Sequence, residues 1–440
     1  MTRPAERAPV LGGVERLRLD NGLRVVVAAD PSAPAVCVAV HYDVGFRSEP
    51  VGRSGFAHLF EHLMFEGSER VGAGLHGRHV QAAGGTFNGI TYRDHTAYHQ
   101  VVPPEALERM LFLEADRMRG PRLTEATLAH QLAVVKEEIL RNVTAQPYGG
   151  FPWIPLPPVL FGGYANTHNG YGDLADLDAS TLADCTAFFD THYAPGNAVL
   201  TVCGDVDPAD CAELIRRHFD QVAARPVPVR TPVTEDRPTG DRQDEIPVPG
   251  LPMPALALGL RLPDPVAETD RYLAAAVVGA LLGGGETSLL HRSAVREAGT
   301  AVSVHAGAGL TGAPLEARDP DVFVIRAMLP SPGTADAVAD AAWAGLRSLA
   351  DRGPDPAALA RATARMAVER HRRLDRLGAR AEQYGRFELH HGDAALAAGL
   401  PGRIRRITPA AVAEAAADLA GQRRRSVLLV PAAPTPGGPR

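Results

Sequence analysis

Residues 55–65 read Gly55-Phe56-Ala57-His58-Leu59-Phe60-Glu61-His62-Leu63-Met64-Phe65. On a helix, positions three and four apart share a face. His58, Glu61, His62 and Phe65 then form one stripe. Phe56, Leu59, Phe60 and Leu63 form a second, about 160° away at roughly 100° per residue. The spacing predicts a helix that buries the second stripe and presents two imidazoles and a carboxylate on the first. Two histidines at i and i+4 can ligate one zinc ion, for which neutral imidazole is a suitable donor. A third ligand would still leave a position for water. The same pair also fits a plain helix with two histidines on its polar face, so a third donor is needed from elsewhere.

A candidate lies in residues 126–143, ATLAHQLAVVKEEILRNV, which read as a helix. Gln131, Val134, Val135 and Glu138 fall on one stripe at offsets of three, four and seven. A carboxylate closing a mostly apolar stripe is costly to bury unless it is paired or bound to metal. Glu137 and Glu138 also fit a solvated acidic pair. Glu138 follows His62 by 76 residues.

Outward from these two helices the composition is ordinary. The chain has 440 residues, 45% apolar and 22% charged, with a net charge of −6. That excludes a wholly disordered chain and gives no global attraction to nucleic acid or anionic membrane. The longest apolar stretch, 273–282, is too short to span a bilayer. The first residues, MTRPAERAPVLGG, carry no apolar core of the length a signal peptide needs, so the chain reads as soluble and cytoplasmic. The four cysteines lack Cys-x-x-Cys spacing. Cys37 and Cys203, within AVCVAV and LTVCGD, read as buried thiols.

Three regimes divide the chain. Residues 14–224 alternate strand-like and helix-like runs, residues 225–252 are proline-rich and read as a stiff linker, and residues 253–430 resume the alternation. The tail 431–440 reads as disordered. Residues 14–28 look like a hairpin turning at Asn21-Gly22. Strands are expected at 36–44, 198–203, 255–261, 301–307 and 321–328. Helices are expected at 104–118, 208–219, 268–282 and 334–351. The fold class is therefore α+β. It consists of two duplicated α/β-sandwich halves, each a mostly antiparallel sheet packed with helices.

With these residues in place, the sequence resembles the pitrilysin or insulinase family of zinc peptidases. It is most similar to half-length members such as bacterial processing-protease homologues and mitochondrial processing peptidase subunits. That family combines His-x-x-Glu-His with a glutamate some 76 residues later. The segments VVKEEILRNVTAQPYGG, GGTFNGITYRDHTAYHQVVP (84–103), HYAPGNAVLTVCGDVDP (192–208) and LLGGGETSLLHRSAVREAG (281–299) resemble further family blocks in the right order.

The resemblance implies one zinc ion per chain held by His58, His62 and Glu138, with Glu61 as general base for peptide hydrolysis. It implies that residues 85–88 belong to an edge strand to which substrate adds, and that Asn88 lies near the substrate backbone. Asn88 equally fits a turn residue in GGTFNG. Two departures stand out. Gln131 occupies the position of a second family glutamate, seven residues before the ligand, and an amide supplies neither charge nor proton. In the second half Arg296 resembles a substrate-binding arginine, or is simply a surface residue. Val302 stands where the family has a tyrosine, and Leu289 where many relatives have arginine.

The expected function is a zinc endopeptidase for peptides or small unfolded polypeptides, working in a chamber formed by a dimer. Leader-peptide removal is among its possible uses. The partner expected is a homologous chain that supplies the missing tyrosine, with no nucleic acid or membrane. The alternative is a non-catalytic scaffold or partner subunit of a heterodimer.

Overall fold

The computed structural model describes residues 13–311 and 313–432. Two compact units emerge, each built from segments distant in sequence. The first holds residues up to Lys136, Gly170–Thr231 and Arg370–Leu400. The second holds Glu137–Asn169, Pro232–Glu369 and the chain from Pro401 on.

The first unit is built on six strands: β1 (Glu15–Arg18), β2 (Arg24–Ala29), β3 (Val36–Tyr42), β4 (Thr86–Thr91), β5 (Thr96–Val102) and β6 (Ala198–Gly204). Their order is β1-β2-β6-β3-β5-β4. Only β2 and β6 run parallel. β1 and β2 form the expected hairpin, with Gly22 at φ 92° in its turn. Every residue of β3 is buried, which accounts for the continuous apolar run VCVAVHY. One face of β3 lies under the helix Leu377–His391, where a Cβ at Gly385 would meet His41 Nδ1 at 2.3 Å.

Four further helices of this unit are α1 (Phe56–Leu63), α2 (Leu107–Arg119), α3 (Glu125–Ile139) and α4 (Pro208–Phe219). α3 continues into a wider π-helical turn at Leu140–Thr144, closed by the Ala145 N–H donating to the Leu140 carbonyl. The division between units falls within the last turn of α3.

The second unit has five strands, β7 (Arg242–Pro249), β8 (Ala255–Arg261), β9 (Ser303–Ala308), β10 (Val322–Met328) and β11 (Arg425–Ala432), in the order β7-β11-β8-β10-β9. Again only the first pair is parallel. Strand for strand, this repeats β2-β6-β3-β5-β4 of the first sheet. Duplication is therefore written in the topology, where residue-level similarity is faint. The helices α5 (Thr269–Gly283), α6 (Ala335–Arg352) and α7 (Pro409–Ala420) pack together in this unit. Leu156, Val159, Leu160 and Phe161 join Ala255, Ala257, Val322 and Val324 in its core.

The linker expectation needs one correction. Residues 242–249 are not linker but β7, the counterpart of β2. Their prolines, Pro247 and Pro249, are tolerated because β7 is an edge strand. Its half-buried residues alternate with exposed ones, a pattern that the prolines obscure in sequence. At the other end, Pro431 and Ala432 still pair within β11, while 433–440 lie outside the described residues. All four cysteines are buried and free. No helix among the described residues is long and apolar enough to cross a membrane.

Candidate metal centre

α1 forms as its periodicity predicts. Phe56, Leu59, Phe60 and Leu63 are buried, and His58, Glu61 and His62 are half-buried on the other side. Phe65 lies beyond the helix end, where it packs against Phe87, His76 and Tyr98. The start of α1 is set by close backbone approach. Gly55 has φ 82°, and a Cβ there would sit 2.4 Å from the Gly172 Cα. The Glu49 carboxylate accepts the N–H groups of Gly55 and Ala57, at 2.9 and 2.7 Å. An anion at a helix N-terminus is favoured by the helix dipole.

The ligand-capable atoms of His58, His62 and Glu138 all lie within 4.8 Å of one another. Two imidazole nitrogens and a carboxylate are one of the donor sets of catalytic zinc, which keeps a further position for water or substrate. The residues present therefore fit the ion. The two imidazoles stand edge to face, with centroids 5.0 Å apart, and the Tyr171 ring lies 5.1 Å from His58. Along α3, Val135 and Gln131 are buried and Val134 is exposed, so the apolar stripe is narrower than the sequence suggests. Glu138 is half-buried and its neighbour Glu137 is exposed. Asn142 Nδ2 donates to Glu138 Oε1 at 3.5 Å.

Glu61 is held from β4. Thr91 Oγ1 donates to Glu61 Oε2 at 2.7 Å. Two residues earlier on the same face, a Cβ at Gly89 would lie 2.9 Å from Glu61 Cγ and 3.1 Å from its Oε1. The strand presses its backbone against the carboxylate, and only glycine leaves room. Gln131 reaches the cluster from α3, with Oε1 3.2 Å from His62 Nδ1, while its Nε2 donates to Glu66.

β4 is an edge strand, as the resemblance implies for residues 85–88, and pairs with β5. The register sets Asn88 opposite His99 and Gly89 opposite Tyr98. Side chains alternate across a strand, so exposed Asn88 falls on the face opposite to Gly89 and Thr91. In the second unit Arg296 is exposed on the π-helical segment His291–Glu297. Val302 is 51% exposed just ahead of β9, and Leu289 is half-buried. Sequence reasoning missed Thr91, Tyr171 and Glu49. Thr91 shares the two-residue period of β4 with Gly89, which could have signalled a common face. The other two carry no local pattern.

The chain matches two family models, one described as Insulinase (Peptidase family M16) over residues 24–147, the other as Peptidase M16 inactive domain over 180–366. It is 30% identical over 295 residues to the zinc protease PqqE of Helicobacter pylori, covering 64% of this chain and 63% of that protein, so it spans less than two thirds of that relative. An uncharacterized zinc protease of Streptomyces coelicolor is 25% identical over 421 residues, covering 94% of this chain and 88% of that one. The human cytochrome b-c1 complex subunit 1 is 28% identical over 258 residues, 57% of this chain and 52% of that one.

Among solved structures, a protease from Helicobacter pylori aligns with a TM-score of 0.85 at 24% identity, covering 96% of this chain and all of that chain. Pitrilysin aligns at 0.79 and 19% identity, covering 98% of this chain and 46% of that one. Both are likenesses of fold. The first matched region contains His58, Glu61, His62, Gln131 and Glu138, and the two regions together span well over half the residues: the chain belongs to the insulinase (M16) family of peptidases.

Proposed function

We propose that this chain is a zinc-dependent endopeptidase for peptides and small unfolded polypeptides. The observation that carries the reading is the meeting of His58, His62 and Glu138, with Glu61 beside them and steadied by Thr91. His58, His62 and Glu138 would hold one zinc ion. Zinc bound there supplies Lewis-acid polarisation and makes water a nucleophile at neutral pH.

Glu61 is the general base. Thr91 steadies the carboxylate through Oε2, and the carboxylate takes the proton from attacking water. The same carboxyl then passes the proton to the departing amine. The edge strand β4 offers main-chain groups to an extended substrate, and Asn88 on this strand lies near the substrate backbone. Main-chain pairing binds many sequences, in keeping with a broad peptide substrate class.

The working unit proposed is a dimer with a homologous chain. Val302 at the tyrosine position supports it, because an aliphatic side chain offers substrate no hydroxyl. Arg296 is the substrate-binding group this chain contributes from its second unit. The same Val302 favours a second reading, a subunit whose partner does the chemistry.

The test uses the purified chain and an unstructured peptide. Cleavage abolished by chelator and restored by zinc supports the first reading. Glu61→Gln should keep zinc and lose about 10²–10⁴-fold in turnover. Full activity in Glu61→Gln would remove Glu61 from its role. Turnover that appears only with a homologous chain and is unchanged by Glu61→Gln in this one would support the second reading.

A further inference from the structure

Three side chains stand in line behind the metal centre. Gln131 Oε1 lies 3.2 Å from His62 Nδ1, and Gln131 Nε2 donates to Glu66 Oε1. Glu66 is half-buried in the turn that leaves α1, where its N–H donates to the Leu63 carbonyl. Gln131 is 7% exposed, so its amide is largely withdrawn from water.

The order of donors and acceptors along this line is forced. An ionised carboxylate only accepts, so the amide turns its NH2 toward Glu66. Its carbonyl oxygen then faces the imidazole, and that oxygen also only accepts. His62 Nδ1 must therefore carry the proton. A neutral imidazole has one N–H, so the lone pair sits on Nε2. Reversing the amide would set its oxygen against the carboxylate and its NH2 against Nδ1. That arrangement would select the other tautomer. A glutamine alone does not choose between them, since its two ends are nearly the same size.

We propose that Glu66 is a positioning residue for the metal centre. By fixing which way the Gln131 amide faces, it holds His62 in the tautomer that ligates zinc through Nε2. The inference rests on the zinc reading above and extends it by one link. The position that resemblance gives to a second glutamate is here a neutral amide. The negative charge stands one residue further out, at the end of an imidazole–amide–carboxylate line. Partners of ligating histidines typically change metal affinity by about 10–100-fold when removed.

The test measures zinc affinity of the full chain by competition with a chromophoric chelator. The proteins are wild type, Glu66→Leu, Gln131→Leu, the double variant and Glu66→Gln. Each single leucine variant should bind zinc about 10–100-fold more weakly. The double variant should be no weaker than Gln131→Leu, because Glu66 acts only through the amide. Glu66→Gln should stay within a few-fold of wild type, because its carbonyl oxygen still accepts. Unchanged affinity in Glu66→Leu would overturn the proposal. So would full additivity in the double variant, which would mean that Glu66 acts through its charge at a distance.

A second readout needs no zinc. Side-chain ¹⁵N NMR of the zinc-free chain, with His62 assigned by its loss in His62→Ala, should show the Nδ1–H form in wild type. Glu66→Leu should shift it toward Nε2–H, and an Nε2–H form in wild type refutes the line. If wild type bound no zinc, the functional reading would fall, and the tautomer would still decide the role of Glu66.

Discussion

At the scale of single residues, the common face of His58, Glu61 and His62 was legible because its logic is local. His58, Glu61 and His62 lie within one turn and a half of helix, and helical spacing alone places them together. Glu138 shares a stripe with Val135, but only the family resemblance singled it out from Glu137; in the structure Glu138 is half-buried and Glu137 exposed. What holds Glu61 in place was not legible, because Thr91 is 30 residues away and its strand gives no chemical hint. Two substitutions test that support. Thr91→Val removes the hydroxyl and keeps the shape. A hydrogen bond to a charged group contributes about 1.5–3 kcal/mol, so kcat should fall about 10–100-fold while zinc content is unchanged. An unaltered kcat would show that Glu61 is oriented by something else. Gly89→Ala places a methyl against Glu61 Cγ, where a Cβ has 2.9 Å. The carboxylate must move, and peptide hydrolysis should drop with zinc retained. Zinc loss in parallel would mean that the strand positions the ligands rather than the base.

At the scale of elements, α1 is an aimed helix more than a stable one. It has eight residues, and an isolated helix of that length is marginal in water. Its position comes from the buried stripe, from the Glu49 carboxylate and from the contact of Gly55 with Gly172. Gly55→Ala tests the last of these. A side chain at φ 82° costs about 1–2 kcal/mol, and its Cβ would overlap the Gly172 backbone. The melting temperature should fall and zinc affinity should weaken, because the entry of α1 must shift. A stable variant with wild-type zinc affinity would show that the glycine contact is incidental. The same contrast explains what could be read of the fold. Strands buried on both faces, such as β3, announce themselves as apolar runs. β7 did not, because an exposed edge strand tolerates proline and carries little apolar signal. Assignment of 137–169 and 370–400 to the opposite units is likewise invisible in sequence, since neither segment carries a pattern that says which sheet it packs against.

At the scale of the molecule, two sheets of one topology carry different burdens. The first encloses several histidines away from water. Burial pushes His41 down to about 4, against a favourable influence from Glu382. Burial does the same to His192, to about 4, and to His76, to about 3, where Arg117 adds to the effect. Each ring is neutral in the folded chain, whereas in the unfolded chain it takes a proton near pH 6.5. Below pH 6.5 the unfolded state binds more protons, so stability falls as pH falls. The loss begins near pH 6.5 and is complete for His41 and His192 near pH 4, and for His76 near pH 3. Within that window each histidine contributes a slope of up to about 1.4 kcal/mol per pH unit. Urea unfolding of the zinc-free chain at pH 7.5, 6.0 and 5.0 should show a steep decline between the last two. His41→Gln, which keeps a polar side chain of similar size beneath the helix Leu377–His391, should flatten the decline by its own share. A variant as acid-sensitive as wild type would mean that His41 is protonated in the folded chain, and that the sheet tolerates a charge where burial argues against one.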